Sequence, residues 1–190
     1  MVKETKHEGW AIWITGLPGS GKSTLAHGLY DNLSKLNIEA ELISSDKLRR
    51  ELTPQPTYSE EERDLFYNCL AFVSIKLVKN NINVIIDATG NRRKYRNKCR
   101  RKIKQFAEIY LECPLEICIQ REKKRKNTHY APKRIYDKAF SRKDTTIPGI
   151  GSPYEKPENP ELVLNSNKLS IQECIKKTVN FILDNFEKNA

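Results

Sequence analysis

Eight consecutive residues, Gly16-Leu17-Pro18-Gly19-Ser20-Gly21-Lys22-Ser23, carry the spacing G-x-x-x-x-G-K-S. Glycines at those places let successive backbone N–H groups converge on one anion, and the positive end of a following helix adds to that field. In such a loop Lys22 reaches the β- and γ-phosphates of a nucleotide, and the Ser23 hydroxyl takes a place on Mg2+. Thr24 follows in Ser23-Thr24-Leu25-Ala26, which opens a helical pattern. Residues 16–24 are therefore expected to bind a nucleoside triphosphate with Mg2+.

Phosphoryl transfer also needs an acceptor held in line, a group that orients or deprotonates it, and cations on the migrating phosphoryl. Asp46, in Ser44-Ser45-Asp46-Lys47-Leu48-Arg49, can orient an acceptor hydroxyl, and Arg49 can hold the acceptor's anionic part. A helix N-cap is the competing role for Asp46. Asp87 closes an apolar run and either contacts Mg2+-bound water or makes a structural hydrogen bond to the phosphate loop. Arg121 follows another such run.

These groups can meet only if strands deliver them to one edge. Apolar runs at 11–15, 40–44, 83–87, 107–111 and 162–164 read as strands. Helical patterns alternate with them. Leu25, Leu29, Leu33 and Leu36 share one face after the phosphate loop, and Ser59-Glu60-Glu61-Glu62 has the form of a capping box. The helix it opens runs to about residue 79, with Leu65, Cys69, Phe72 and Val73 expected inward. A basic helix is expected over 92–104, a short one from Pro114 to about 122, and helical potential lies at 132–140. Ser170-Ile171-Gln172-Glu173 is a second capping box, with Ile175, Val179, Ile182 and Leu183 inward on a helix to about residue 186. The pattern predicts an α/β fold, a five-stranded parallel sheet covered by helices on both faces. Residues 1–190 are expected to form a single domain, with a lid over about 123–158, where polar, basic and Pro/Gly-rich segments break the alternation.

Composition narrows the surroundings. Five cysteines, without a C-x-x-C pair, suggest neither a disulfide framework nor a zinc site, so a cytoplasmic protein is expected. The charged first residues lack an apolar core, so no signal peptide is expected, and no run reaches the length of a membrane span. A net charge of +10, with 34 Lys and Arg against 24 acids, leaves open a nucleic-acid partner or anionic small substrates. His27 is expected to pack on the surface rather than take part in catalysis.

Two stretches resemble the adenylylsulfate kinases: residues 9–24, ending in the phosphate loop, and residues 149–164, Gly-Ile-Gly-Ser-Pro-Tyr-Glu-Lys-Pro-Glu-Asn-Pro-Glu-Leu-Val-Leu. The second is the more specific, because phosphate loops occur in many families. Pro114-Leu115-Glu116-Ile117-Cys118-Ile119-Gln120-Arg121 also looks like that family's segment after the fourth strand. The resemblance implies a P-loop kinase fold and transfer of the ATP γ-phosphoryl to the 3′-hydroxyl of adenosine 5′-phosphosulfate (APS). It assigns Asp46 and Arg49 to the family's D-G-D-x-x-R segment, with Ser44 where the first acid stands. It places Tyr58 near the substrate adenine, Arg63 on the acceptor, and Lys138, in Tyr136-Asp137-Lys138-Ala139, toward the acceptor's anionic tail. Relatives commonly pair, so a homodimer stays open.

The acceptor site departs from that pattern. Phe66 replaces an asparagine, Asp87-Ala88-Thr89-Gly90-Asn91 replaces F-I-S-P, and the lid carries extra residues around Arg125 to Pro132. With Phe66 and Tyr58 able to sandwich a base, another nucleotide-linked acceptor such as a CDP-phosphoramidate is an alternative to APS. A polynucleotide 5′-hydroxyl kinase, its basic helix tracking a phosphate backbone, is a second, and a non-catalytic nucleotide-binding module a third.

Overall fold

β1 (Ala11–Thr15) is buried along its whole length and lies at the centre of the sheet. In the computed structural model, which describes residues 8–126, 129–141 and 145–187, it is followed by α1 (Lys22–Lys35), β2 (Ala40–Ser44) and α2 (Ser45–Leu52). Then come α3 (Glu60–Lys79), β3 (Asn83–Asp87), α4 (Arg93–Arg100) and β4 (Phe106–Glu112). The chain continues through α5 (Leu115–Lys124), α6 (Ile135–Phe140), β5 (Leu162–Asn165) and α7 (Ile171–Asn185). The charged N-terminal segment through His7, and lid positions 127–128 and 142–144, lie outside the described residues.

All five strands are parallel, in the order β2-β3-β1-β4-β5. Successive crossovers first build one side of β1 and then the other, which opens a crevice at the C-terminal strand ends. Register brings Ser44 and Ile14 level with Asp87, so three loops leave the sheet at one edge.

Side chains alternate across β1, as strand geometry requires. Ile12 and Ile14 join Leu25, Leu29, Leu33, Ile175 and Ile182 beneath α1 and α7. Ala11 and Trp13 join Phe66, Tyr67, Leu70, Tyr95 and Cys99 beneath α3 and α4. A smaller cluster of Cys113, Cys118 and Tyr136 seats α6 against the sheet edge. The α7 capping box closes in both directions, Ser170 and Glu173 each receiving the other's backbone N–H. Among the described residues no helix is long and apolar enough to cross a membrane.

Three expectations are corrected. The inward face of α3 is Phe66, Tyr67, Leu70, Ala71, Ser74 and Val78, whereas Leu65, Phe72 and Val73 are exposed. Apolar residues surround this helix, so periodicity alone does not choose a side; Trp13 and Tyr95, which pack on Tyr67, do. The first half of the expected capping box on α3 forms, Ser59 Oγ accepting from the Glu62 N–H. Its second half does not, because the Glu62 carboxylate turns to Thr57, Tyr58 and Arg49. The basic helix ends at Arg100, and its cations are engaged: Arg93 with Glu155 and Glu158, Arg96 with Glu108, and Arg100 with Glu108 and Glu161.

Candidate functional site

The turn after β1 holds Gly19 at φ 82° and Gly21 at φ 103°, backbone that L side chains rarely adopt. A Cβ on Gly19 would also run into the Cys118 carbonyl oxygen. Gly21 is the N-cap of α1 and offers no side chain to its first-turn N–H groups, which leaves them for an anion. The Lys22 ammonium folds over the turn and donates to the Leu17 carbonyl at 3.0 Å. Ser20 Oγ is buried without a hydrogen-bond partner among the described residues.

Beside this loop lie two carboxylates. Burial raises the Asp87 carboxyl above its ordinary range, against the pull of Lys22 and of a hydrogen bond with the Ser23 hydroxyl. Burial raises Asp46 too, with the Asp87 charge adding to the effect and Lys22, Arg125 and Arg49 opposing it. The Lys22 ammonium is in turn pushed down by burial and supported by both carboxylates. Hydroxyl and carboxylate oxygens of this kind suit Mg2+, which takes one or two protein carboxylates together with nucleotide phosphates. The N-cap of α2 is Ser44, whose Oγ accepts from Lys47 N, so Asp46 sits in the first turn without that duty.

Lys22, Ser23, Thr24, Asp46, Arg49, Tyr58, Arg63 and Asp87 line one cleft of about 290 Å³. Arg49, buried, donates to Glu62 at 2.8 Å, and its guanidinium lies 3.9 Å from the Phe66 ring centroid and 5.1 Å from that of Tyr58. The position expected for a sandwiched base thus holds a guanidinium. Phe66 is a floor beneath Arg49 and is not among the residues lining the cleft. Arg63 ties α3 to the lid, donating to the Tyr58 and Thr146 carbonyls at 3.1 and 2.7 Å. Lys138 is exposed on α6 and is likewise not among the lining residues.

Lid residues reach both sides. Tyr136 Oη donates to the Pro18 carbonyl of the phosphate loop at 2.7 Å, and Arg50 on α2 donates to the Tyr130 carbonyl at 3.1 Å. Sequence reasoning gave no role to Arg125, Tyr67 or Thr89, all of which line the cleft. Arg125 donates to Glu122 and to Pro132, while its Nε is buried without a partner among the described residues. In sequence it is one of several cations in Lys123-Lys124-Arg125-Lys126, and nothing in that run singles it out. Arg121 is held by the Ser166 carbonyl at 2.8 Å.

The sequence profile of adenylylsulphate kinase matches residues 8–165. A probable adenylyl-sulfate kinase of Archaeoglobus fulgidus is 36% identical over 159 residues, 84% of this chain and 97% of its own. An adenylyl-sulfate kinase of Deinococcus deserti is 30% identical over 100% of this chain and 98% of its own. Among solved structures, the Mycobacterium tuberculosis APS kinase in complex with AMPPNP and APS superposes with a TM-score of 0.80 at 29% identity, covering 92% of this chain and 98% of that one. Profile, relatives and cleft converge, and the chain belongs to the adenylylsulfate kinase family.

Proposed function

We propose that this enzyme transfers the γ-phosphoryl group of ATP to the 3′-hydroxyl of APS. The observation that carries the reading is the cleft itself, in which the phosphate loop faces Asp46, Arg49, Tyr58 and Arg63 across one cavity. Family membership supplies the acceptor class.

In this reading the amides of residues 16–24 and the Lys22 ammonium hold the β- and γ-phosphates, and Ser23 with Asp87 holds Mg2+. Mg2+ held there would supply positive charge against that building on the phosphoryl oxygens. Asp46 accepts the acceptor hydroxyl proton; a carboxylate raised by burial is a stronger base than one in water. Arg49 and Arg63 hold the anionic part of the acceptor, with Tyr58 against its base and Phe66 fixing the plane of Arg49. Lys138 approaches the acceptor's tail only if α6 shifts on binding. The lid over about 123–158 excludes water, and Arg125 adds a cation on the side of Lys22 and Asp46. A cytoplasmic location is part of the same reading, since all five cysteines are free thiols.

A second reading, another nucleotide-linked acceptor, draws on the Asp87-Ala88-Thr89-Gly90-Asn91 turn alone, since Phe66 lies beneath Arg49 and does not line the cleft. The polynucleotide reading loses its main support, because the arginines of α4 are paired with acids. The test is ADP release from Mg·ATP with APS, with CDP-linked acceptors including a CDP-phosphoramidate, and with a 5′-hydroxyl oligonucleotide, using Lys22→Ala as the blank. Turnover of APS is expected. Turnover with a different acceptor alone would mean that the ATP half is kept and the acceptor half rebuilt.

A further inference from the structure

Four arginines line the cleft: Arg49, Arg63, Arg121 and Arg125. Arg49 donates to Glu62, Arg63 to the Tyr58 and Thr146 carbonyls, and Arg121 to Ser166. Arg125 differs from these three. Both of its side-chain bonds use Nη2, to Glu122 Oε1 at 3.2 Å and to the Pro132 carbonyl at 2.5 Å. Its Nε is buried without a partner among the described residues. An unpaired N–H on a buried guanidinium is unfavourable, and a bound acceptor atom would remove that cost. Glu122, itself buried, likewise keeps Oε2 without a partner among the described residues.

The fold fixes where this guanidinium starts. Helix α5 stops at Arg125, whose N–H still closes on the Arg121 carbonyl at 2.9 Å. Arg125 also stands at the start of the lid residues that the family's pattern lacks. Those residues are docked on two helices. The His129 ring stacks on His27 of α1, with centroids 4.5 Å apart and planes at 23°. The Tyr130 carbonyl accepts from Arg50 of α2 at 3.1 Å, and the Arg50 guanidinium lies 5.3 Å from the Tyr130 ring centroid. The lid is thus held to the helix that leaves the phosphate loop and to the helix that carries Asp46. Arg125 acts electrostatically on Lys22, on Asp46 and on His129.

We propose that Arg125 is a catalytic residue, its guanidinium exchanging the Pro132 carbonyl for the equatorial oxygens of the phosphoryl group as that group passes from ATP to the acceptor. The inference rests on the phosphoryl transfer proposed above and not on the identity of the acceptor. Asp46 and Asp87 both line the cleft, so an anionic group must move beside two carboxylates. Lys22 meets it from the phosphate loop, and Arg125 adds the cation that keeps the charge balanced as the group nears Asp46. The bond from the γ-phosphorus to the β,γ-bridging oxygen breaks and the bond to the acceptor oxygen forms. The acceptor proton goes to Asp46, and Arg125 exchanges hydrogen bonds only. A planar fork can hold two of the three equatorial oxygens at once, which an ammonium cannot. Glu122 is the positioning residue, holding Arg125 at one side and the Ile135 N–H of α6 at the other.

The test is chemical rescue of Arg125→Ala, run with Mg·ATP and whichever of APS, the CDP-linked acceptors and the oligonucleotide wild type turns over. The variant's kcat should fall about 10²-fold while its ATP KM stays within about threefold. Guanidinium chloride at tens of millimolar, far below denaturing concentrations, should then raise the variant's rate about tenfold and leave wild type unchanged. Arg125→Lys keeps the charge without the fork and should stay about tenfold slow; it also carries the comparison if the alanine variant does not melt cooperatively. A second readout needs neither acceptor nor turnover: calorimetry of ADP and Mg2+ with aluminium fluoride, a mimic of the phosphoryl group in flight. Aluminium fluoride should tighten ADP binding to wild type about tenfold or more, and leave either variant near its affinity for ADP alone. A variant that keeps the wild-type rate, a slow alanine variant that guanidinium does not restore, or equal tightening in variant and wild type would overturn the proposal. Arg125 would then be a staple of the lid through Pro132. A wild type inactive toward APS but active on another acceptor would overturn the acceptor reading alone.

Discussion

Residues 16–24 come from one stretch of chain and act largely through backbone, whereas Asp46, Arg49, Tyr58, Arg63 and Arg125 arrive on or beside three helices and act through side chains. The first group is fixed by a turn that glycines make and by the start of α1. The second is fixed by contacts across the sequence: Arg49 to Glu62, Arg63 to Thr146, Arg50 to Tyr130. A backbone site tolerates change around it and serves many acceptors. A side-chain site can be rebuilt one residue at a time, because each of its contacts rests on a separate pair of residues.

The largest effect should come from the nucleotide half. Lys22→Ala removes a buried cation whose attraction grows as charge develops, and kcat should fall by about 10³-fold or more. Because Lys22 is desolvated, its loss should leave the melting temperature nearly unchanged, which thermal denaturation checks. Asp46→Asn comes next. It keeps the side chain's shape but cannot take the proton, so kcat should fall by about 10²–10⁴-fold. ATP affinity by titration calorimetry should stay within about twofold, since Asp46 lies outside the phosphate loop proposed to hold ATP. Near-normal turnover in Asp46→Asn would remove the base from the acceptor half and blur the division between the two.

The same division decides what could be read in the sequence. The phosphate loop was legible because its chemistry depends on nine adjacent residues and two glycine conformations. The strands were legible because a buried parallel sheet needs continuous apolar runs, and the strand ends then place Asp87 and Asp46. The inward side of α3 was not legible, because both of its faces carry apolar residues and only Trp13 and Tyr95 choose between them. Nor was the fate of α4. Glu155, Glu158 and Glu161 lie about sixty residues from the arginines they neutralise, and ion pairs leave no periodic trace. Phe66 was read as a wall for a base; its role depends on where Arg49 lies, which spacing does not determine.

Arg49→Lys separates charge from shape within the acceptor half. Lysine keeps the positive charge but loses the planar group that lies over Phe66. The acceptor KM should rise about tenfold, while the ATP KM stays within about twofold and kcat changes little. Equal increases in both KM values would mean that Arg49 holds the whole cleft together and not the acceptor alone.

The smallest effect belongs to the segment that frames both halves. Glu155 receives the Arg93 N–H at 2.7 Å and an Arg92 guanidinium N–H at 3.2 Å, and Arg96 donates to its carbonyl. One residue earlier, the Tyr154 hydroxyl lies 3.0 Å from Thr15 at the foot of the phosphate loop. The Arg93 N–H, followed by the Arg92 guanidinium, holds the Glu155 carboxyl below the usual carboxylate range. A carboxylate with a depressed pKa stabilises the fold above its unfolded pKa, about 4.3, and loses that contribution as pH falls through its folded value. Glu155→Gln keeps the backbone bonds and removes the charge, so at pH 7 the melting temperature should drop by about 2–4 °C. The gap to wild type should narrow as the pH is lowered below about 4. Turnover at neutral pH should change by less than about twofold, because no reacting group touches Glu155. A gap that persists unchanged in acid would assign the stabilisation to shape and not to charge, and a parallel loss of turnover would make this segment part of the acceptor half.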